Sequence, residues 1–206
     1  MARDAAATRA AILTAARAEF SAHGLAGARV DRMAVAAGCS KERLYAGFGD
    51  KFGLYRRVMS DMLEELRLAT IVTDDMEVDG YVRAAYDFHR DHPHLLRMLL
   101  WESLEGTDDS LPDDEARRDC YRLSARALAP KVPGDDPRAR SRRLLLTLVG
   151  LTAWPHAVGP LAAIITDGES QSEEGQRSLR EFVAAFAAAG VRGLSEQPIP
   201  SLGPST

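Results

Sequence analysis

The chain has 206 residues, 46% of them apolar and 27% charged, with two cysteines and a formal net charge of −4. That length supports one or two domains with a proper core, and that balance excludes a chain disordered throughout. Cys39 and Cys120 stand far apart and singly, which excludes the paired spacing of a zinc site or a disulfide scaffold and fits a reducing compartment.

Alanine, leucine and arginine are abundant, and no stretch alternates apolar with polar over a strand length, so an all-α protein is expected. The opening residues, MARDAAATRA, are polar before any apolar periodicity begins. No apolar run approaches the ~20 residues that span a bilayer. The expectation is a cytoplasmic protein without a secretory signal or a membrane partner.

In residues 5–23, Ala6, Ile12, Leu13, Ala16 and Phe20 fall mostly three and four apart, as an amphipathic helix requires, and Gly24 ends the pattern. After a short loop, Val30, Met33, Ala34 and Ala37 form the inward face of a second helix, which Gly38 stops. Ser40 caps a third, with Leu44, Tyr45 and Phe48 on its apolar side. Gly49 and Asp50 break the chain again. Asp50 is the candidate cap of a long helix over 51–71 with Leu54, Val58, Met62, Leu63 and Leu66 as its stripe.

An acidic break at 74–79 precedes a helix over 78–92, and Pro93 suits the first turn of the next. That helix, 95–104, is apolar on nearly every side and is expected to be central and mostly covered. A loop over 106–114 leads to a charged helix over 113–129 with Cys120, Leu123 and Ala127 inward. A proline-bearing loop over 130–137 follows, then a helix over 138–154 that Pro155 should kink or end. Residues 161–166 form a short apolar turn or helix and 168–175 a polar loop. The last helix, 176–194, carries Leu179, Phe182, Val183, Phe186 and Ala187.

Charge is unevenly spread. Residues 1–60 hold ten Lys or Arg and five Asp or Glu, a net of +5, whereas the remainder holds sixteen basic and 25 acidic residues, a net of −9. A basic N-terminal stretch on an acidic chain is the electrostatic footprint of a polyanion-binding surface. It coincides with two short helices separated by Gly38-Cys39-Ser40, the outline of a helix-turn-helix. A recognition helix must expose hydrogen-bonding side chains near its N-terminus while apolar residues anchor it. Lys41, Glu42 and Arg43 fall on the exposed part, Leu44 and Phe48 on the anchored part.

Ala34, Ala37, Gly38, Cys39, Ser40, Leu44, Tyr45, Gly47, Phe48 and Lys51 together resemble the DNA-binding domain of the TetR family of bacterial transcriptional regulators. The match covers about a third of the chain. The resemblance implies an N-terminal three-helix helix-turn-helix domain (1–50), a connecting helix (51–72), a helical ligand-binding and dimerisation domain (73–195) and a flexible tail (196–206). It implies DNA binding through Arg29, Ser40, Lys41, Glu42, Arg43, Tyr45, Gly47 and Lys51, with phosphate contacts from Tyr45 and Lys51 and guanine reading by Arg43. Two positions depart from the family pattern: Gly47 stands where an aromatic or His is common, and Arg29 where a Thr or Ser often caps the second helix.

Tyr86, His89, Met98, Trp101, Tyr121 and Trp154 are the candidate walls of an effector pocket; ordinary core packing fits each equally well. His89, His92 and His94 lack a spacing that completes a metal site, so no metal and no cofactor are expected. Nor does a nucleophile sit at a recognisable spacing from a base, and a phosphate-cradling glycine loop is missing, so the chain is not read as an enzyme. The apolar helices near 138–155 and 176–194 suit the homodimer interface that the resemblance implies. The partners expected are thus a double-stranded operator, an unknown small-molecule effector and a second copy of the chain, acting together as a ligand-responsive repressor. The alternative is a small-molecule binding protein on the same scaffold with little sequence-specific DNA binding.

Overall fold

A computed structural model describes residues 2–71, 77–105, 115–132 and 134–196, without the side chains of 2–4, 116–117 and 195–196. Among the described residues all regular structure is helical. The loop expected at 106–114, the first half of the acidic break at 74–79 and the tail beyond 196 lie outside them. Two compact units form. The first takes in helices α1 (Ala2–Gly27), α2 (Val30–Ala36), α3 (Lys41–Phe48), most of α4 (Lys51–Ala69) and α6 (Pro93–Glu105). The second takes in α5 (Val78–Asp91), α7 (Glu115–Leu128), α8 (Pro137–Ala157), α9 (Gly159–Ile165) and α10 (Glu173–Glu196).

In the first unit, Ile12, Ala16 and Phe20 recur every four residues along α1 and are all buried. Phe20 meets Tyr55 of α4 edge-on, ring centroids 5.1 Å apart, and burial of such a side chain stabilises the fold by roughly 1.5–3 kcal/mol. The first helical run ends at Gly24, as the sequence suggests, at φ 66° and ψ −176°, and one further turn follows to Gly27; only glycine adopts that backbone conformation without strain. Gly38, at φ 65°, closes α2 as the sequence suggests. Asp50 caps α4, its Oδ1 accepting from Gly53 N at 2.6 Å. Pro93 opens α6, which packs along α1. That helix is less covered than expected: Leu95, Leu96, Met98 and Glu102 are buried, but Leu100 and Leu104 face solvent.

The second unit is built around α5, which packs against both α8 and α10. Val78, Tyr81, Val82 and Ala85 present one stripe to Leu144, Leu145 and Leu148 of α8 and to Val183, Ala184 and Ala187 of α10. Two apolar stripes overlap on α7, and the core takes Ala125 and Leu128, which continue into buried Val132, whereas Leu123 points outward. Pro155 does not end the helix where it stands. It lies in the last turn of α8, which runs on to Ala157 before α9 departs at 89°. Among the described residues no single helix is long and apolar enough to cross a membrane.

Replacing Asp50 with Ala removes the α4 cap and should lower unfolding stability by about 1 kcal/mol, read as an earlier midpoint with an unchanged slope in urea denaturation.

Candidate nucleic-acid interface and effector region

The helix-turn-helix is assembled from α2 and α3. Ser40 is the N-cap of α3, its Oγ accepting from Arg43 N at 3.3 Å. The Glu42 backbone amide and the Ser40 hydroxyl hold the Glu42 carboxyl below its ordinary value. Leu44 is fully buried and Phe48 half-buried, so the helix is anchored by one side, as the sequence suggests. The opposite side carries Lys41, Glu42, Arg43, Tyr45 and Gly47, all exposed. Lys41 pairs with Asp31 of α2, and that contact raises the ammonium above its ordinary value. Arg43 has an exposed guanidinium with no side-chain partner among the described residues. A Cβ on Gly47 would meet open space, so this position accepts a larger side chain.

Residues outside the motif fix its position. Arg9 of α1 lays its guanidinium over the Phe48 ring, 4.5 Å from the centroid, and donates to Gly47 O at 3.4 Å, a cation–π contact that holds the end of α3. Arg29 occupies the N-cap of α2 but its side chain caps nothing. Glu19 does that work from α1: its Oε1 accepts from Arg29 N and from Arg32 Nε, both at 2.8 Å. Burial pushes the Glu19 carboxyl up, but the hydrogen bonds from Arg32 and the Arg29 amide outweigh it and hold it below its ordinary value. Lys51, half-buried, donates to Ala26 O at 3.4 Å and Ala28 O at 3.3 Å. Its ammonium has three protons, so it can tie this junction and still offer one outward. Sequence reasoning missed Arg9 and Glu19, which read locally as solvated charges on an amphipathic helix; the arginine excess of the first sixty residues was the only hint.

The six candidate pocket residues separate. Met98 and Trp101 lie on α6 in the first unit, Met98 fully buried and Trp101 Nε1 donating to Ser21 O at 3.2 Å. In the second unit, Tyr86 and His89 are buried on α5, with the Tyr86 hydroxyl raised by burial, and Trp154 is 58% exposed on α8. Tyr121 lines a groove of about 540 Å³ between α7 and α8, floored by Leu145, Leu146 and Val149 and rimmed by Arg118, Arg122 and Arg142. A larger cavity, about 680 Å³, opens between α8 and α10 against Leu148, Leu151, Phe186 and Val191. Of the six, Tyr121 alone lines either of these two spaces. The histidines also part: His89 is in the second unit, while His94 Nδ1 lies 2.8 Å from Ser21 Oγ in the first.

A recognition helix pinned on one helical unit, in a chain whose other helical unit has cavities, defines a helix-turn-helix DNA-binding regulator. Residues 12–58 match the model of bacterial regulatory proteins of the tetR family, and residues 77–188 match the tetracyclin repressor-like C-terminal domain. The HTH-type transcriptional repressor SCO4008 of Streptomyces coelicolor is 33% identical over 185 residues, which span 85% of this chain and 92% of that protein. Among solved structures, that of SCO4942 from the same organism, described as a transcriptional regulator, aligns with a TM-score of 0.67 and 27% identity over 91% of this chain and 97% of its own. The TetR-family regulator SCO0857 shares the fold at a TM-score of 0.58 and 22% identity, over 93% of this chain and 96% of its own. The chain belongs to the TetR family of transcriptional regulators.

Inside the second unit, the ring of His156 packs edge-on against Tyr86 with centroids 4.5 Å apart, and its buried Nε2 has no hydrogen-bond partner among the described residues. Burial first, and the charge of Arg90 second, lower its pKa below the ordinary 6.5, against smaller opposing effects of Asp91 and Asp87. The folded state therefore prefers neutral His156, and the unfolded chain binds more protons as pH falls below about 6.5. Stability should decline between pH 7 and 5.5. A His156→Leu variant should show a shallower decline in thermal melts, and an identical slope would exclude His156 as a source.

Proposed function

We propose that the protein is a homodimeric transcriptional repressor that places α3 in the major groove of a pseudo-palindromic operator and releases it on binding a small molecule. The observation that carries this reading is the exposed face of α3: Lys41, Glu42 and the free Arg43 guanidinium stand at the N-terminal end of a helix whose other side is locked by Leu44 and Phe48. Arg43 suits bidentate reading of a guanine edge. Lys41, Tyr45, Lys51, Arg29 and the Ser40 turn suit phosphates, which set register rather than sequence. The repressive sign is supported by the 33% identity to a protein named as a repressor.

A second copy is supported by α10. Phe182 and Phe186 stack outward at 67% and 59% exposure, and Ala185, Ala189, Gly190 and Gly193 continue the same exposed face with small residues that admit a close helix. The α8–α10 cavity opens on this face, since Phe186 and Gly190 line it, so a partner's helices would cover it. Two recognition helices are needed in any case to reach major grooves about 34 Å apart. The effector site is the α7–α8 groove at Tyr121. Its apolar floor and its rim of Arg118, Arg122 and Arg142, of which Arg122 also pairs with Asp119, suit an apolar molecule bearing an anionic group. Such a ligand acts through its different affinity for the two conformers. In this reading 1–50 reads DNA, 51–72 connects and 73–195 binds ligand and partner, although α6 within that stretch packs in the first unit.

Fluorescence anisotropy with the intergenic DNA beside the protein's own gene tests the reading. A specific complex at moderate salt is expected, with Arg43→Ala lowering operator affinity roughly ten- to hundredfold. Equal affinity for every sequence, with a steep salt dependence, would leave only the phosphate attraction and sink the proposal. Sedimentation tests the second copy: Phe186→Glu is expected to shift the protein from dimer to monomer with its helicity intact, whereas a wild-type monomer at micromolar concentration would remove α10 as an interface.

A further inference from the structure

The break in α1 at Gly24 leaves three backbone groups without their usual partners, and α6 takes all three. In an unbroken helix the Leu25 N–H would reach Ser21 O. Instead, Leu25 N donates to Glu105 Oε2 at 3.0 Å, Ala26 N donates to the same oxygen at 3.2 Å, and Ser21 O accepts from Trp101 Nε1 at 3.2 Å. Gly24 also faces Glu105 so closely that a Cβ there would overlap Oε1. Along the same helix, His94 Nδ1 lies 2.8 Å from Ser21 Oγ, and Glu102 Oε1 accepts from Tyr55 OH at 2.9 Å. Thus α6 is tied to α1 and α4 along its length, and its last residue is inserted into the backbone ladder of α1 where that ladder is interrupted. The first helical run ends at Gly24, and a single further turn carries the chain to Gly27 before α2 begins. A glycine-only conformation inside a helix persists where the surroundings fix it, and here the surroundings are one carboxylate.

We propose that Glu105 is a positioning residue for operator recognition: by gripping the Leu25 and Ala26 amides it fixes the direction in which the chain leaves α1, and hence the angle at which α2 and α3 are presented. A displacement of α6 along α1 would be delivered to the helix-turn-helix through this contact. A cap serves only the helix end it closes; this carboxylate belongs to a helix almost eighty residues away and holds both amides that follow the break. The inference rests on the operator-binding reading above, but its physical core, control of the α2–α3 position by Glu105, can be measured without DNA.

The test compares full-length wild type, Glu105→Ala and Glu105→Gln by hydrogen–deuterium exchange and by affinity for operator against random duplex at one salt concentration. Glu105→Ala is expected to speed exchange about tenfold in residues 24–29 and also in 30–48, to leave α8 and α10 as protected as before, and to cut the operator-to-random affinity ratio about tenfold. Glu105→Gln keeps an acceptor oxygen and should restore most of both. Trp101→Phe removes only the donor to Ser21 O and should act in the same direction more weakly, which covers the case in which Glu105→Ala does not fold. Faster exchange confined to 24–29, with 30–48 and the affinity ratio unchanged, would reduce Glu105 to a local cap and overturn the proposal, as would a Gln variant as impaired as Ala. A wild type without operator preference would refute the operator reading instead, and exchange in 30–48 would then decide the role of Glu105 by itself.

Discussion

Leu25 N–H and Ser21 O would pair in an unbroken helix; in this chain each is turned over to α6, the donor to Glu105 and the acceptor to Trp101. Both groups are part-buried, and an unmet buried backbone group costs about 1–3 kcal/mol, so α6 lowers the cost of the break at Gly24. The rest of the junction into α2 is completed in the same way. Glu19 receives Arg29 N, and Lys51 supplies protons to Ala26 O and Ala28 O. Residues 24–29 thus have little regular structure to hold them and draw partners from α1, α4 and α6. The orientation of the recognition helix follows from that set of bonds, with Arg9 holding its far end at Gly47 and Phe48.

The second unit is stabilised differently. Its interior is apolar, centred on α5, and its ion pairs lie at the margin: Arg83 joins Asp79 and Glu181, and Arg180 joins Asp87 and Glu181. Those pairs are partly exposed and contribute little to stability beyond setting the register of α5 on α10. What this unit leaves uncovered is apolar, notably Phe182 and Phe186, and lone large apolar residues are common on protein surfaces while a continuous face of them is not. The first unit thus adds directed polar ties to its buried apolar residues, whereas the second relies mainly on apolar area.

Much of the helix-turn-helix was legible because its signals are local. Gly38 turns the chain at positive φ, Ser40 caps the next residues, and Asp50 reaches three residues on to Gly53. Elements governed by tertiary choice were less legible. On α7 two stripes of equal spacing compete, and only the position of Val132 beyond the helix selects Ala125 and Leu128 over Leu123. Phe182 and Phe186 share the helical spacing of the buried Val183 and Ala187, so periodicity could not tell which turn faces inward. Arg9, Glu19 and Glu105 act across 10 to 80 residues of sequence, and no spacing marks them. Tyr86, His89, Met98, Trp101, Tyr121 and Trp154 share no spacing that marks a common cavity, and the fold divides them between two units, with Tyr121 beside a groove and Met98 and Trp101 packed in the first unit.

The pairing of Lys41 with Asp31 gives the recognition surface an internal stand-in for phosphate. A free lysine that neutralises a DNA phosphate releases about 0.9 of a condensed cation to solution. Lys41 must first leave a carboxylate, and Asp31, left bare beside a polyanion, recruits a cation in its turn. The two ion movements oppose each other, so this lysine contributes less to the salt dependence of binding than its charge implies. The pair also occupies the lysine at the front of α3, whereas the Arg43 guanidinium on that face has no side-chain partner among the described residues.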